Sequence, residues 1–157
     1  MENEDFIKVI ANNRKARHNY EITSSLEVGL VLLGSEVKSI RAGKASLVDA
    51  YGRIRNGELW IIGMHIAQYK EATFANHEPT RERKLLLHKQ EIKKIKRKVQ
   101  EKGVTLVPLK LYFKNNIAKL ELGIARGKRK YDKKVSIAER DAKRDAQREQ
   151  KKYKFKI

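Results

Sequence analysis

Few side chains in this 157-residue sequence are spaced for covalent chemistry. His18, His65, His77 and His88 are dispersed, with no H-E-x-x-H or comparable pair, so they read as structural groups or polar contacts rather than metal ligands. There is no cysteine, which excludes thiolate zinc sites, cysteine nucleophiles and disulfide scaffolds. Asp49 has no carboxylate partner at a spacing suited to general acid–base work, and nothing in the spacing of Asn13, His18 and Glu27 supports a nuclease site. The stretch Gly123-Ile124-Ala125-Arg126-Gly127-Lys128 is glycine-containing, but its glycines are only four apart and Arg129 follows Lys128, so it is not a P-loop. The expectation is a protein that is not an enzyme and needs neither metal nor cofactor.

Binding chemistry is better represented. Asn13-Arg14-Lys15-Ala16-Arg17-His18-Asn19-Tyr20 interleaves cations with amide, imidazole and phenol groups. Cations hold phosphates, Asn and His bond base edges or 2′-hydroxyls, and aromatic rings stack on exposed bases. Lys128-Arg129-Lys130-Tyr131-Asp132-Lys133-Lys134 repeats that mixture. The whole chain carries 37 Lys and Arg against 19 Asp and Glu, a net charge of +18. That excess repels itself in a compact state and suits a polyanionic partner, nucleic acid foremost. It divides evenly: 126–157 holds 14 basic and 5 acidic residues, net +9, and 1–125 holds the other +9. A basic C-terminal tail, 126–157, is therefore set apart from a domain at 1–125. No apolar run approaches the about 20 residues of a membrane helix, and Met1 to Asp5 is acidic with no signal-peptide core, so a cytoplasmic protein without a membrane partner is expected.

The elements that must position these groups are mostly strands. Leu47–Arg55 and Glu58–Ile66 flank Asn56-Gly57, and Val104–Lys114 and Ile117–Ala125 flank Asn115-Asn116, two hairpin signals. Ala118, Leu120, Leu122 and Ile124 share one face of the last strand, Lys119 and Glu121 the other. Tyr20–Leu33 supplies an earlier strand, and Trp60, Tyr112 and Phe113 are expected mainly in the core. Five or six short antiparallel strands imply a small barrel or sandwich. Helices are expected at Ser35–Ile40 and at Gln90–Lys102, where Ile92, Ile95 and Val99 form an apolar stripe. The lysine-rich outer face of the second helix suits a solvated surface and a binding surface equally. From Ser136 to Lys152 a helix-favouring segment aligns Arg140, Arg144, Arg148 and Lys152 in one column, with no wide apolar stripe to dock it. The tail is expected to be disordered alone and helical once an anion neutralises that column.

Five ordered stretches carry a family resemblance: 13–20 as quoted, Gly34-Ser35-Glu36-Val37-Lys38-Ser39-Ile40-Arg41-Ala42-Gly43-Lys44, Arg83-Lys84-Leu85-Leu86-Leu87-His88, Leu106-Val107-Pro108-Leu109-Lys110-Leu111-Tyr112-Phe113-Lys114, and 123–128. From about Val9 to Tyr131, and more loosely beyond, the chain resembles the SmpB (small protein B) family, the SsrA-binding proteins of bacterial trans-translation. The resemblance implies a mainly β fold, an OB-like closed antiparallel barrel with about two or three helices and a basic C-terminal tail. It implies binding to the tRNA-like domain of transfer-messenger RNA (tmRNA), a body that stands in for the anticodon arm on stalled ribosomes, and a tail placed in the decoding centre and mRNA channel; a monomer is expected. Asn13, Arg17, His18, Tyr20 and Glu27 fall on the implied RNA surface, beside Arg14 and Lys15. Lys38, Arg41 and Lys44 are phosphate candidates by charge. Gly127, Lys128, Tyr131, Asp132, Lys133 and Lys134 match the implied decoding-centre contact. Some members have His and Arg where this chain has Tyr131 and Lys134: tyrosine keeps the capacity to stack, whereas lysine lacks the bidentate fork of arginine. The competing class is a structural ribosomal or general RNA-chaperone protein.

Overall fold

The structure, a computed structural model, describes residues 5–72 and 76–128. In chain order the elements are β1 (Ile7–Asn12), α1 (Arg14–Asn19), β2 (Tyr20–Leu30), α2 (Gly34–Arg41), β3 (Ala45–Ser46), β4 (Tyr51–Arg55), β5 (Glu58–Ile62), β6 (His65–Ile66), β7 (Arg83–Leu86), α3 (Lys89–Val99), β8 (Val104–Lys114) and β9 (Ile117–Gly127). The described body is mainly β with three helices. Seven strands lie in the order β1-β8-β4-β5-β7-β2-β9, all antiparallel, and β9 also pairs with β8; β3 and β6 form a separate two-stranded piece.

Both hairpins form where their turn residues place them. Asn56 and Gly57, and Asn115 and Asn116, all have positive φ, joining Arg55 opposite Glu58 and Lys114 opposite Ile117. Side chains pointing inward from β2, β5, β7, β8 and β9, among them Val28, Leu59, Ile61, Leu85, Leu111 and Leu120, build one core, and Ile40 of α2 and Ile95 of α3 enter it. The apolar stripe of α3 is thus satisfied by Ile95, with Ile92 and Val99 half-buried beside it.

Several boundaries differ from the sequence reading. Glu58–Ile66 is two strands, because the chain bends at Gly63, where φ is +80° and a Cβ would lie 2.6 Å from the Asp49 carbonyl oxygen. Leu47–Ala50 is a turn rather than the start of β4. The first long strand stops at Leu30, three residues early, and β9 runs two residues farther, to Gly127. Helix α3 ends at Val99 instead of Lys102, since Gln100–Gly103 forms tight turns in which the Glu101 and Val104 amides donate three residues back. Three elements carry no strong local signal: the edge strand β1, the six-residue α1 and β7. Pro108 lies within β8 next to a register slip, where a residue lacking an N–H is tolerated.

Candidate nucleic-acid interface

The cation-rich segment at 14–19 becomes helix α1 because Asn13 anchors it. Its Oδ1 accepts from the Ala16 N–H at 3.1 Å, a helix N-cap. Its Nδ2 donates to the carbonyls of Pro108 at 2.9 Å and Leu47 at 3.1 Å, and its backbone N–H donates to Leu109 at 2.9 Å. Asn13 is only 2% exposed, so the residue expected at an RNA surface is a framework group that grips the β8 register slip and holds its neighbours in place. Ala16 is buried against Val107, Leu109 and Ala125, with Tyr20 and Ile22 packed beside them. Arg14, Lys15 and Arg17 therefore face outward; His18 is half-buried. Lys15 Nζ lies 3.7 Å from Asp49, and both line a cleft of about 390 Å³ with Asn19, Tyr20, Tyr51 and Thr105.

Glu27 stands on the outer side of β2 directly opposite Glu121 on β9. Two carboxylates facing each other across a ladder repel, and the surroundings answer the repulsion. Arg17 approaches Glu121 at 4.0 Å, Lys114 approaches Glu27 at 3.6 Å, and the Tyr112 hydroxyl donates to Glu27 Oε2 at 2.5 Å. Lys114 is also 3.5 Å from Asp5. Burial first, then the bond to Glu27, push the Tyr112 phenol well above the ordinary tyrosine value, so it keeps its proton and remains a donor across the neutral range. Tyr112 holds one oxygen of Glu27 and Lys114 approaches the other, yet the carboxylate still meets solvent. A carboxylate so oriented can accept from a base amino group, which would contribute selectivity rather than charge attraction.

The Tyr112 contact was not legible from Tyr112 as a core residue. Its only local signal is a tyrosine, rather than a phenylalanine, at a buried strand position, since a buried hydroxyl requires a partner. Tyr112→Phe removes that oxygen and little else. It is expected to weaken selective RNA binding by about three- to tenfold, the value of one hydrogen bond, with near-native thermal stability. Glu27→Gln should lower selectivity too, and the double variant should lose less than the sum of the two. Additive losses in a binding titration would show that the two residues act separately.

Helix α2 presents Lys38 and Arg41, with Lys44 just beyond it, all exposed. Lys38 Nζ sits 5.4 Å from the Tyr69 ring centroid and the Arg41 guanidinium 5.8 Å from that of Phe113, contacts that steady both cations without neutralising them. The opposite side of α2 is anchored by ions. Glu36, fully buried, accepts from the Leu33 N–H at 2.8 Å, from Arg81 at 2.5 Å and from Arg83 Nε. Arg83, also fully buried, gives its other nitrogens to the carbonyls of Met64 at 2.7 Å and Pro79 at 3.1 Å. Ser39 donates to the Ala67 carbonyl at 2.6 Å. His77 bonds the Ile66 carbonyl through Nε2 at 2.9 Å; a carbonyl only accepts, so Nε2 carries a proton, and Nδ1 lies 2.8 Å from the Ser35 hydroxyl. The polar letters of the 34–44 stretch thus divide between an inner set that fixes the helix and an outer set of cations.

The structure brings Arg17, Glu27, Tyr112, Lys114 and Glu121 together, and sets Lys38 and Arg41 on a separate helix with Lys44 just after it. Gly127 ends β9 and Lys128 follows it. Tyr131, Asp132, Lys133, Lys134, Arg140, Arg144, Arg148 and Lys152, and the helix expected at Ser136–Lys152, lie outside the described residues. Among the described residues no helix is long and apolar enough to cross a membrane.

Residues 10–152 match the family model described as SmpB protein. A curated relative from Thermobifida fusca, an SsrA-binding protein, is 57% identical over 141 residues, covering 90% of this chain and 88% of the relative. Another SsrA-binding protein, from Acetivibrio thermocellus, is 56% identical, with 90% and 92% covered. Among solved structures, a chain described under "tmRNA-SmpB: a journey to the center of the bacterial ribosome" superposes with a TM-score of 0.66 at 47% identity, covering 81% of this chain and 93% of that one.

Proposed function

Since the chain belongs to the SmpB family, we propose that it is an SsrA-binding protein that carries tmRNA to ribosomes in trans-translation. It positions RNA and catalyses nothing itself. Its body recognises the tRNA-like domain of tmRNA and takes the place of the anticodon arm, and its basic tail, 126–157, enters the decoding centre and the mRNA channel. The protein works as a monomer in the cytoplasm, where ribosomes are. An OB-like closed barrel is the finer reading of the sheet, supported by β9 bonding to β2 on one side and to β8 on the other.

The observation that supports selective recognition, over general affinity for RNA, is the Glu27 carboxylate oriented by Tyr112 and Lys114. A protein that only attracts phosphate has no use for an exposed, oriented carboxylate, because it weakens backbone binding. Arg14, Lys15 and Arg17 on α1, and Lys38, Arg41 and Lys44 on and after α2, supply phosphate contacts on either side. His18 and Tyr20 offer base and sugar contacts, and Asn13 serves by holding α1.

Capture of the protein from cells with its bound RNA tests the reading. One dominant RNA with a tRNA-like end is the expected result. Ribosomal RNA alone, in the proportions of intact ribosomes, would instead favour a structural ribosomal protein or general RNA chaperone.

A further inference from the structure

We propose that the outward face of α3 is a second phosphate-backbone site for the same RNA, flanking the Glu27 surface; the inference rests on the functional reading above. Helix α3 carries six cations in eleven residues, Lys89, Lys93, Lys94, Lys96, Arg97 and Lys98, against a single acid. That acid, Glu91, caps the helix by accepting from the His88 N–H at 3.2 Å. The six cations are exposed.

They differ from much of the body's positive charge. Lys15, Arg17, Arg55, Lys84, Lys114 and Arg126 each lie within 4.0 Å of a carboxylate. Among the described residues no α3 cation does. Glu101, the nearest acid after the helix, is engaged with Arg126 at 2.6 Å. Lys89, Lys93 and Arg97 stack at i, i+4 and i+8, and Lys94 and Lys98 form a second column. Like charges at that spacing repel. Nothing in the fold requires them there, since Ile95 and its neighbours already satisfy the inner face. With its apolar side buried, the helix has none to offer a membrane. What it offers is a rod about 16 Å long of unneutralised cations, suited to the closely spaced phosphates of a nucleic-acid backbone.

Continuity identifies the occupant. Gly29, two residues after Glu27, pairs with Leu86 of β7, and the missing Cβ of Gly29 lets Leu86 approach; a Cβ there would lie 3.2 Å from Leu86 Cβ. Leu86 is itself 51% exposed. Helix α3 begins three residues later, so its first cation stands within about 20 Å of Glu27 by strand and chain geometry. RNA seated on Glu27 therefore needs to extend by only about 20 Å to meet the start of α3.

The test uses the full chain with Lys93, Lys94, Arg97 and Lys98 all changed to Gln, a good helix former, and the Lys93→Gln/Arg97→Gln pair as a milder second variant. Circular dichroism and Tm verify the fold. Affinity for the transcribed tRNA-like domain of tmRNA is then titrated against salt. Loss of two or more phosphate contacts should make the log–log salt slope shallower by about 1.4–1.8 or more and weaken binding at low salt by about tenfold or more. The preference for this RNA over ordinary tRNA should be kept, because phosphate contacts carry no sequence information. An unchanged slope would overturn the proposal. So would a loss confined to ribosome association, which would assign the patch to ribosomal RNA, or a loss of preference equal to the loss of affinity. Glu27→Gln in parallel separates the two levels: preference lost with the slope kept supports the Glu27 reading whatever α3 does.

Discussion

Glu36→Gln is expected to cost about 3–5 kcal/mol, because it leaves Arg83 charged and fully buried with no counter-ion. For a body of this size that lowers Tm by roughly 10–20 °C. Glutamine keeps the shape and some hydrogen bonding, so the loss reports on charge. Arg81 is partly exposed and can turn to water, whereas Arg83 is held by the Met64 and Pro79 carbonyls and cannot follow. Replacing both partners, Glu36→Leu with Arg83→Met, should recover much of the stability, since an apolar pair of similar volume carries no desolvation cost. Acid titration gives an independent reading. Burial alone would raise the Glu36 carboxyl, but the bonds from Arg81, from the Leu33 N–H and from Arg83 outweigh it and hold the carboxyl below its ordinary value of 4.5. A folded-state pKa depressed in this way means stability is fully present above pH 4.5 and falls away as the pH drops toward and through the folded value. Glu36→Gln should flatten that part of the stability-against-pH curve. A variant with parental Tm and an unchanged acid limb would show that the ion cluster does not hold α2.

That cluster also marks the limit of what the linear sequence displays. Lys38, Arg41 and Lys44 were recognisable as phosphate candidates from charge alone, yet Glu36, one turn away on the same helix, works inward with a partner 47 residues on. Charge type does not tell which side of a helix a residue will face; tertiary contact decides. The two hairpins were legible because positive φ at Asn and Gly is a local demand, and the α3 stripe because its period is local. Helix α1 was not. Six residues are too few to hold a helix in water, and its stability comes from Asn13 bonding carbonyls 34 and 95 residues away. Edge strand β1 was missed because Ile7 and Val9 are exposed and no clean alternation results. At the site, Glu27 was picked out by its place in a motif, whereas Tyr112 and Lys114 became its partners only through the side-by-side pairing of β2, β9 and β8. Each hidden feature depends on a long-range pairing, and each visible one on a local constraint.

Ending the chain after Lys128 is expected to abolish peptide tagging on stalled ribosomes while leaving selective binding of the tRNA-like RNA nearly intact. The cut respects the fold: β9 ends at Gly127, opposite Tyr20, so no ladder pair is lost. Residues 129–157 hold 12 of the 37 basic and 5 of the 19 acidic residues, so the net charge falls from +18 to +11. The lost charge will slow association and flatten the salt dependence for any RNA, so body selectivity must be judged by the ratio between the tRNA-like domain and ordinary tRNA at matched salt. That ratio depends on Glu27 and its partners, all of which remain. Tagging requires more than RNA capture, and the proposed tail contacts, Tyr131, Lys133 and Lys134 together with the column Arg140, Arg144, Arg148 and Lys152, all go with the cut. Changing only that column to Gln in the full chain should reproduce most of the tagging defect, which separates a loss of charge from a loss of length. Equal loss of RNA selectivity and tagging would sink the division of labour between body and tail, and tagging that survives the cut would remove the tail from the mechanism.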